Sequence, residues 1–224
     1  MNWRQYWNEL ARTESDPQRQ VARTKNSREL GKADTDRLIH HLLGLLDLRP
    51  EHRLLDVCCG NGLLTKRLAA HCQEVTGVDL SDMMIEHAKH HFSAPNIDYH
   101  QGNVADIGEL ATGTYDRILL QFSFQYLNKS EAEKALRGMA SLLAPGGKII
   151  LGDVPDSAKL HVFYPDWISR LRYHLARWRG TDRMGAFWSE ATIRRMARGV
   201  TVRKLEQPAE LPYADYRVDY VMDL

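Results

Sequence analysis

The chain has 224 residues, of which 43% are hydrophobic and 26% are charged, and its formal net charge is +1. This length suits one domain with its own hydrophobic core, and the composition excludes a chain that is disordered throughout. The near-neutral charge gives no overall attraction to nucleic acid or anionic lipid, so nucleic acid is disfavoured as a partner. The oligomeric state stays open.

The sequence lacks three patterns that would indicate a membrane, secreted or zinc-binding protein. No apolar run reaches the length of a membrane span, and the N-terminus lacks the basic and apolar pattern of a signal peptide. The three cysteines have no zinc-binding spacing, and two of them, Cys58 and Cys59, are adjacent. The sequence therefore predicts a cytoplasmic protein with no metal and no membrane segment.

The N-terminal 50 residues have helical patterns. Trp3, Tyr6 and Trp7 are spaced three and four residues apart, which places them on one face of a helix. That helix is interpreted either as docked on the core or as a lid over a ligand. A second, amphipathic helix starts near Asp34 and ends before Pro50.

From residue 53 onwards, apolar strands alternate with helices. Strands are predicted at 53–57, 74–79, 97–100, 115–120 and 148–152, and helices at 63–70, 81–91 and 129–143. The Pro145-Gly146-Gly147 segment is predicted to be a turn before the fifth strand. This rhythm indicates an α/β fold with a parallel sheet covered on both faces. After residue 153 it gives way to helices near 160–180 and 189–198 and two closing strands, 200–206 and 217–222.

A glycine loop follows the first of these strands. Gly60 and Gly62 come just after Asp56, and Asp79 ends the next strand. Ligands of doubly wound sheets bind beyond the carboxyl ends of the strands, and an acidic residue at the position of Asp79 can accept hydrogen bonds from ribose hydroxyls. The cofactor candidates are NAD and S-adenosylmethionine (SAM).

Charge favours SAM over NAD. The G-x-G-x-x-G pattern of dinucleotide sites is absent, because Leu63, Leu64 and Thr65 follow Gly62. SAM has no phosphate but carries an ammonium group, which the Asp56 carboxylate suits, whereas that carboxylate would repel a pyrophosphate.

Several segments, in order, resemble the class I SAM-dependent methyltransferase family, in the broad subset related to the ubiquinone-biosynthesis methyltransferases. The resemblance covers about residues 50–155 and is carried by segments 54–62, 77–84, 102–104, 115–121 and 142–147. It implies a Rossmann-like, doubly wound sheet of seven strands, mostly parallel with an antiparallel last strand, and an N-terminal helical cap. It also implies that SAM is the cofactor and S-adenosylhomocysteine (SAH) the product.

The resemblance assigns a cofactor role to a set of residues by position. They are Asp56, Cys58, Gly60, Gly62, Asp79, Leu80, Met84, Asn103, Val104 and Gln121, with Tyr6 and Arg23 as lid residues. Two of them depart from the family pattern. Cys58 replaces a glycine, so its backbone must avoid positive φ or carry strain, and Asn103 replaces an aspartate that reads adenine.

The acceptor is the less determined half of the site. Gln125 stands where many relatives have a histidine, and it orients an acceptor or only satisfies local backbone groups. Asp153 and Tyr213 are further candidates for acceptor contact, and His161 and His174 are candidate bases by location. Between 167 and 204, ten basic residues face two acidic ones, which indicates either a solvated face or an anionic acceptor to which Arg172 and Arg179 contribute.

We therefore predict one methyltransferase domain over 1–224. It comprises a helical cap (1–50), a SAM-binding core (51–155), an acceptor-side helical region (156–198) and closing strands (199–224). The predicted function is methyl transfer from SAM to an oxygen or nitrogen of a small-molecule acceptor. The alternatives are a module that binds SAM without catalysis and a nicotinamide-dependent oxidoreductase.

Overall fold

The computed structural model describes residues 1–21 and 30–224 in full and only the backbone of 24–25 and 28–29. Arg23 lies outside the described residues. The strands are β1 (Thr24–Lys25), β2 (Arg28–Glu29), β3 (Arg53–Val57), β4 (Glu74–Asp79), β5 (Ile97–Gln101), β6 (Tyr115–Gln121), β7 (Leu143–Pro155), β8 (Thr201–Glu206) and β9 (Arg217–Asp223). The helices are α1 (Trp3–Thr13), α2 (Pro17–Gln20), α3 (Lys32–Leu46), α4 (Leu63–Leu68), α5 (Asp82–His91), α6 (Ile107–Leu110), α7 (Lys129–Ser141), α8 (Leu160–Phe163), α9 (Trp167–Arg179) and α10 (Glu190–Met196).

Seven strands form one sheet in the order β5-β4-β3-β6-β7-β9-β8. The five strands from β3 to β7 pair in parallel, whereas β9 runs antiparallel to both of its neighbours, β7 and β8. The order reverses between β3 and β6, which is where a doubly wound sheet opens a crevice for a ligand. The predicted seven-stranded, mostly parallel Rossmann-like fold with an antiparallel last strand is confirmed.

The core lies on both faces of this sheet. The middle strands are buried along almost their whole length, as expected of parallel strands covered by helices on both sides. Two large clusters of buried apolar side chains account for this, one centred on α7 and α10 and the other on α3 and α4. Asn128 caps the start of α7: its side chain accepts the Glu131 amide while the Glu131 carboxylate accepts the Asn128 amide.

The structure differs from the sequence-based expectation at Pro145-Gly146-Gly147. Instead of a turn that precedes the fifth strand, this segment is a bulge inside β7, between the pairings Tyr115–Leu143 and Arg117–Lys148. Gly146 has a φ of 75°. A bulge absorbs extra residues without ending the strand, so β7 starts five residues earlier than predicted.

The N-terminal segment packs over the edge of the cofactor crevice. Helix α1 lies against α5, where the Asn8 amide donates to Asp82 and the Ser81 hydroxyl donates to Asn8. The short strands β1 and β2 form an antiparallel pair between α2 and α3, which the sequence reading missed. Within the described part of the chain, no helix is both long and apolar enough to cross a membrane.

Candidate active site

A cavity of about 840 Å³ lies at the carboxyl ends of β3, β4 and β6, beneath α1. Most of the residues proposed from the sequence line it: Tyr6, Asp56, Cys58, Gly60, Asp79, Leu80, Met84, Val104, Gln121, Gln125 and Tyr213. The crevice at the reversal of strand order is thus the place where these side chains converge. Their predicted roles toward SAM and an acceptor stay predictions.

Asp79 is fixed by the glycine loop that faces it. The Gly60 amide donates to Oδ2 and the Ser81 amide donates to Oδ1, both at 2.9 Å. These bonds hold the carboxylate at the end of β4, and each oxygen keeps a lone pair for a ligand hydroxyl. Burial raises the pKa of Asp79, and the amide hydrogen bonds oppose that shift.

Asp56 is the second carboxylate of this end of the cavity. Only 3% of its surface is exposed, and the Thr65 hydroxyl donates to Oδ2 at 2.6 Å. Burial and the charge of Asp79 raise the pKa of Asp56 to about 7, although the Thr65 hydrogen bond lowers it. Two desolvated carboxylates that repel each other favour a cationic ligand group between or beside them.

Gly62 supports the loop without lining the cavity. Its φ is 82°, and a Cβ there would lie 2.6 Å from the hydroxyl oxygen of Tyr99. The residue therefore lets the chain turn in the left-handed region and pack closely on β5. Its predicted cofactor contact stays a prediction, and what the structure shows is this structural role beside the lining.

Two other candidates also lie away from the cavity lining. Asn103 is exposed, and its side-chain oxygen accepts the Ala105 amide as the cap of a single helical turn. Asp153 is buried behind the lining, where it accepts hydrogen bonds from Gln121 and Gln207. Asp153 thus holds lining side chains in place, and the direct acceptor contact predicted for it is not what its position indicates.

Three non-glycine residues with positive φ lie at or near the carboxyl ends of three neighbouring strands. Cys58 follows β3 with a φ of 60°, Phe122 follows β6 with 63°, and Asp153, late in β7, has 63°. Such backbone costs about 1 kcal/mol or more per residue and concentrates at functional sites. The alternative left open for Cys58 is decided: the residue adopts a left-handed backbone conformation and carries its strain.

Aromatic side chains of α1 close one side of the cavity. The rings of Trp3 and Trp7 lie 4.4 and 5.6 Å from the ring of Tyr126, and Tyr6 packs against both tryptophans. The three α1 aromatics all line the cavity, so the docked-helix and lid interpretations describe the same face. A helix packed on the cavity mouth in this way shields its interior from water.

The sequence reading missed the most unusual residue of the cavity, Arg217. Its guanidinium carbon lies 5.4, 5.1 and 5.4 Å from the ring centres of Phe122, Tyr213 and Tyr216, and only 5% of the residue is exposed. Burial alone would lower the pKa of Arg217, but the charge of Asp153 together with the neighbouring Tyr216 and Tyr126 outweighs burial, and the pKa is raised. The cavity therefore contains a permanent buried cation in an aromatic box.

A buried polar network positions Arg217 from behind. Nη1 donates to the Asp153 carbonyl at 2.6 Å, and Nε lies 3.9 Å from the Asp153 carboxylate. Asp219 accepts the Asp153 amide and the Gln207 side-chain amide, and its other oxygen lies 2.7 Å from His41 Nε2. In the sequence, this network could have been suspected from Arg217 and Asp219, two charged residues within an otherwise apolar strand.

Some buried polar atoms of the lining have no hydrogen-bond partner among the described residues. They are Nε of Arg217 and the side-chain oxygens Oε1 of Gln121 and Gln125. The Gln121 side chain lies across Gly152, where a Cβ would be 1.7 Å from Oε1. Buried polar groups are nearly always satisfied, so these atoms indicate a ligand with both acceptor and donor groups.

The basic stretch contributes less to the cavity than the sequence suggested. Of its ten cationic side chains, Arg183 alone is among the described residues that line the cavity. Arg172 and Arg179 are exposed on α9, and Arg177, Arg194, Arg203 and Lys204 pair with acidic side chains. His161 and His174 are exposed and lie outside the lining.

Residues 54–147 match the family described as a methyltransferase domain. This stretch of the chain, which contains the glycine loop and both carboxylates, is therefore similar to a methyltransferase domain. The chain is also 32% identical over 124 residues to ubiquinone biosynthesis O-methyltransferases of Xanthomonas oryzae and Xanthomonas axonopodis. That match covers 53% of this chain and 51% of each relative, so the chain spans about half the length of the curated relatives it matches.

Solved structures agree with the methyltransferase fold over nearly the whole chain. Magnesium protoporphyrin IX methyltransferase from Synechocystis, solved with bound SAH, is 19% identical with a TM-score of 0.69, and the match covers 99% of this chain and 98% of that one. The N-methyltransferase NodS from Bradyrhizobium japonicum, also with SAH, is 18% identical with a TM-score of 0.65 over 99% and 97%. At these identities the likeness concerns the fold.

Proposed function

We propose that this methyltransferase domain moves the methyl group of SAM to an oxygen or nitrogen atom of a small anionic acceptor. The observation that carries the proposal is the opposite charge of the two ends of one cavity. The buried carboxylate of Asp56 and the half-buried carboxylate of Asp79 form one end of the lining, and the buried guanidinium of Arg217 belongs to the other.

The carboxylate end suits SAM. The ammonium of its methionine part would lie near Asp56, its ribose hydroxyls would bond to Asp79, and Leu80 and Met84 would flank the adenine. When bound, SAM supplies an electrophilic methyl group on a sulfonium, so the protein need not activate the donor. NAD suits the same end poorly, because its pyrophosphate would face two carboxylates.

The remaining residues would bind and orient the acceptor. Arg217 would hold an anionic group in its aromatic box, and the unpaired amide oxygens of Gln121 and Gln125 would accept N–H or O–H groups. The aromatic rings of α1 would exclude water. Alignment of this kind is a large part of the rate in a displacement reaction.

The lining also restricts the acceptor's own chemistry. No histidine is present among the described residues that line the cavity. The amide groups of Gln121 and Gln125 do not take up protons near neutral pH. We assign the carboxylates of Asp56 and Asp79 to SAM, and we propose that the acceptor atom is an amine or an acidic hydroxyl that is nucleophilic on its own. The names of the Xanthomonas relatives favour the hydroxyl and O-methylation.

Methyl transfer from SAM with a labelled methyl group tests the proposal. Acceptors are offered in matched pairs, each a carboxylate and its primary amide with the same ring and nucleophile. We expect kcat/KM to be about tenfold or more higher for the carboxylate, since a charge-assisted hydrogen bond to Arg217 is lost in the amide.

Three outcomes would contradict parts of the proposal. Equal rates for acid and amide would remove the anionic acceptor. SAH binding without transfer to any acceptor in an extract-wide screen would favour the module that binds SAM without catalysis. Binding of NAD but not of SAH would overturn the function altogether.

A further inference from the structure

Helix α9 turns a continuous apolar face toward solvent. Its five residues are each exposed over 42% to 82% of their surface. We call the apolar face of α9 the set Trp167, Ile168, Leu171, Leu175 and Trp178. The two tryptophans, at 68% and 82%, are the most exposed large hydrophobic residues of the described chain. Large contiguous apolar surface on a folded domain marks a site of interaction.

The exposure is a property of the helix and not of a loose segment. Trp167, Leu171 and Trp178 recur at spacings of four and seven residues, which brings them onto one side of the helix. The opposite side is anchored, because Tyr173 is buried and its hydroxyl donates to the Gly185 carbonyl at 3.2 Å. The start of α9 is capped by the Asp166 side chain, which accepts the Ser169 amide.

The flanks of the apolar face are cationic. Arg172 and Arg179 follow it on one side of the helix, and both are exposed. Across residues 166–183 five arginines stand against two aspartates. One of those aspartates, Asp182, already forms an ion pair, in which its Oδ2 lies 3.8 Å from Nη1 of Arg177. The surrounding charge therefore selects an anionic partner.

We propose that α9 lies flat on the surface of an anionic lipid bilayer, with its apolar face at the level of the lipid headgroups and upper acyl chains. A helix of 13 residues is about 20 Å long, which suits a position in the interface and not a span. Tryptophan at both ends and arginine along the flank are what such interfacial helices use. A protein partner would need a matching acidic groove, whereas an anionic bilayer offers negative charge and apolar chains together.

The position of α9 connects the bilayer with the cavity. The segments on either side of it, Val162–Tyr164 and Asp182–Met184, both line the cavity, and Phe163 is also partly exposed. An acceptor dissolved in the bilayer would therefore meet the cavity mouth at the lipid surface. This consequence rests on the proposed function, whereas the lipid binding does not.

Vesicle co-sedimentation of the full chain tests the lipid binding, without SAM or acceptor present. The vesicles are phosphatidylcholine alone and phosphatidylcholine mixed with phosphatidylglycerol. We expect binding to the mixed vesicles, and about tenfold or more weaker binding for Trp167→Ser/Trp178→Ser and for Arg172→Glu/Arg179→Glu. The matched control, Lys134→Glu/Arg137→Glu on the exposed side of α7, makes the same charge change elsewhere and should bind as the parent does.

Three results would overturn the inference. The first is no binding to the mixed vesicles, and the second is equal loss in the α7 control. The third is a dimer in solution that Trp167→Ser/Trp178→Ser dissociates while no vesicle binds, which would make a second copy the occupant. SAH calorimetry on the same variants separates this test from the proposed function, because SAH affinity should be unchanged throughout.

Discussion

The two ends of the cavity are built from very different stretches of chain. The carboxylate end comes from residues 56–84, which two consecutive strand-to-helix turns supply. The arginine end combines side chains of α1, of the segment after β6, of the α8 and α9 region and of β9, from residue 3 to residue 217. Local motifs therefore set the charge and shape of the first end, whereas the second exists only once the whole sheet has closed.

The largest effect should come from Asp79→Asn at the carboxylate end. The asparagine side chain keeps the size of aspartate but has one acceptor oxygen and no charge. It therefore cannot accept hydrogen bonds from the Gly60 and Ser81 amides and from a ribose hydroxyl as the carboxylate can. We expect the Kd of SAH, measured by calorimetry, to rise about 100-fold. Asp98→Asn on the neighbouring strand, whose side chain is 74% exposed, should leave it unchanged. A change below threefold for Asp79→Asn would refute the carboxylate end as the ribose site.

Arg217→Met should produce the complementary result at the other end. Without the guanidinium, kcat/KM for the carboxylate acceptor should fall about 30-fold, while the Kd of SAH stays within about twofold. Because removal of the buried cation leaves Asp153 without its charge partner, the melting temperature is measured alongside. Arg217→Lys keeps the charge without the planar fork and should recover part of the activity. Equal losses in SAH affinity and acceptor turnover would mean that the two ends are not separate.

The raised pKa of Asp56 predicts a pH dependence that belongs to the carboxylate end alone. Its folded pKa is about 7 against an ordinary value of 3.8, so the cation-binding carboxylate forms only as the pH passes 7. SAH affinity should rise about tenfold between pH 6 and pH 8, and Asp56→Asn should flatten that profile. The ligand-free protein should behave in the opposite way. Because the folded chain holds the Asp56 proton more tightly than the unfolded chain does, the free energy of unfolding has its full contribution from this group below pH 3.8. That contribution is lost as the pH rises towards 7.

The smallest effect concerns the backbone at Cys58, in the loop of the carboxylate end. Because its φ is 60°, Cys58→Gly should be more stable than Cys58→Ala by about 1 kcal/mol in urea unfolding. Cys72, with a φ of −148°, is the control, and there alanine should be the more stable replacement. The same order at both cysteines would show that position 58 stores no strain.

The fold was largely predictable because its signals are local. Buried strands such as 53–57 and 115–120 are short apolar runs next to helical patterns. Both kinds of pattern are set by neighbouring residues and do not depend on distant contacts. The exceptions have physical causes. The bulge at Pro145-Gly146-Gly147 depends on the pairing of β7 with β6, and the β1–β2 pair is too short to leave a pattern. The division of the chain into cap, core, acceptor region and closing strands stays a prediction.

The candidate site divides along the same line. Asp56 and Asp79 could be predicted because one lies next to a glycine loop and the other ends a strand, and both patterns are visible within a few residues of sequence. Asn103 and Asp153 were placed by position along the chain, and their side chains proved to cap a turn and to hold Gln121. Arg217 gave only a faint signal, since a charged residue in a buried strand does not say which cavity it enters.

The sequence by itself determined the parallel α/β fold, the glycine loop with its two carboxylates and the resemblance to methyltransferases, because each depends on residues that are close together in the chain. Only the tertiary structure decided that Arg217 lines the same cavity as those carboxylates and that Arg172 and Arg179 of α9 are exposed. Those facts depend on β9 inserting between β7 and β8 and on which side of α9 packs against Gly185. Pairings between strands distant in sequence carry no local signature, so they become visible only in the folded chain.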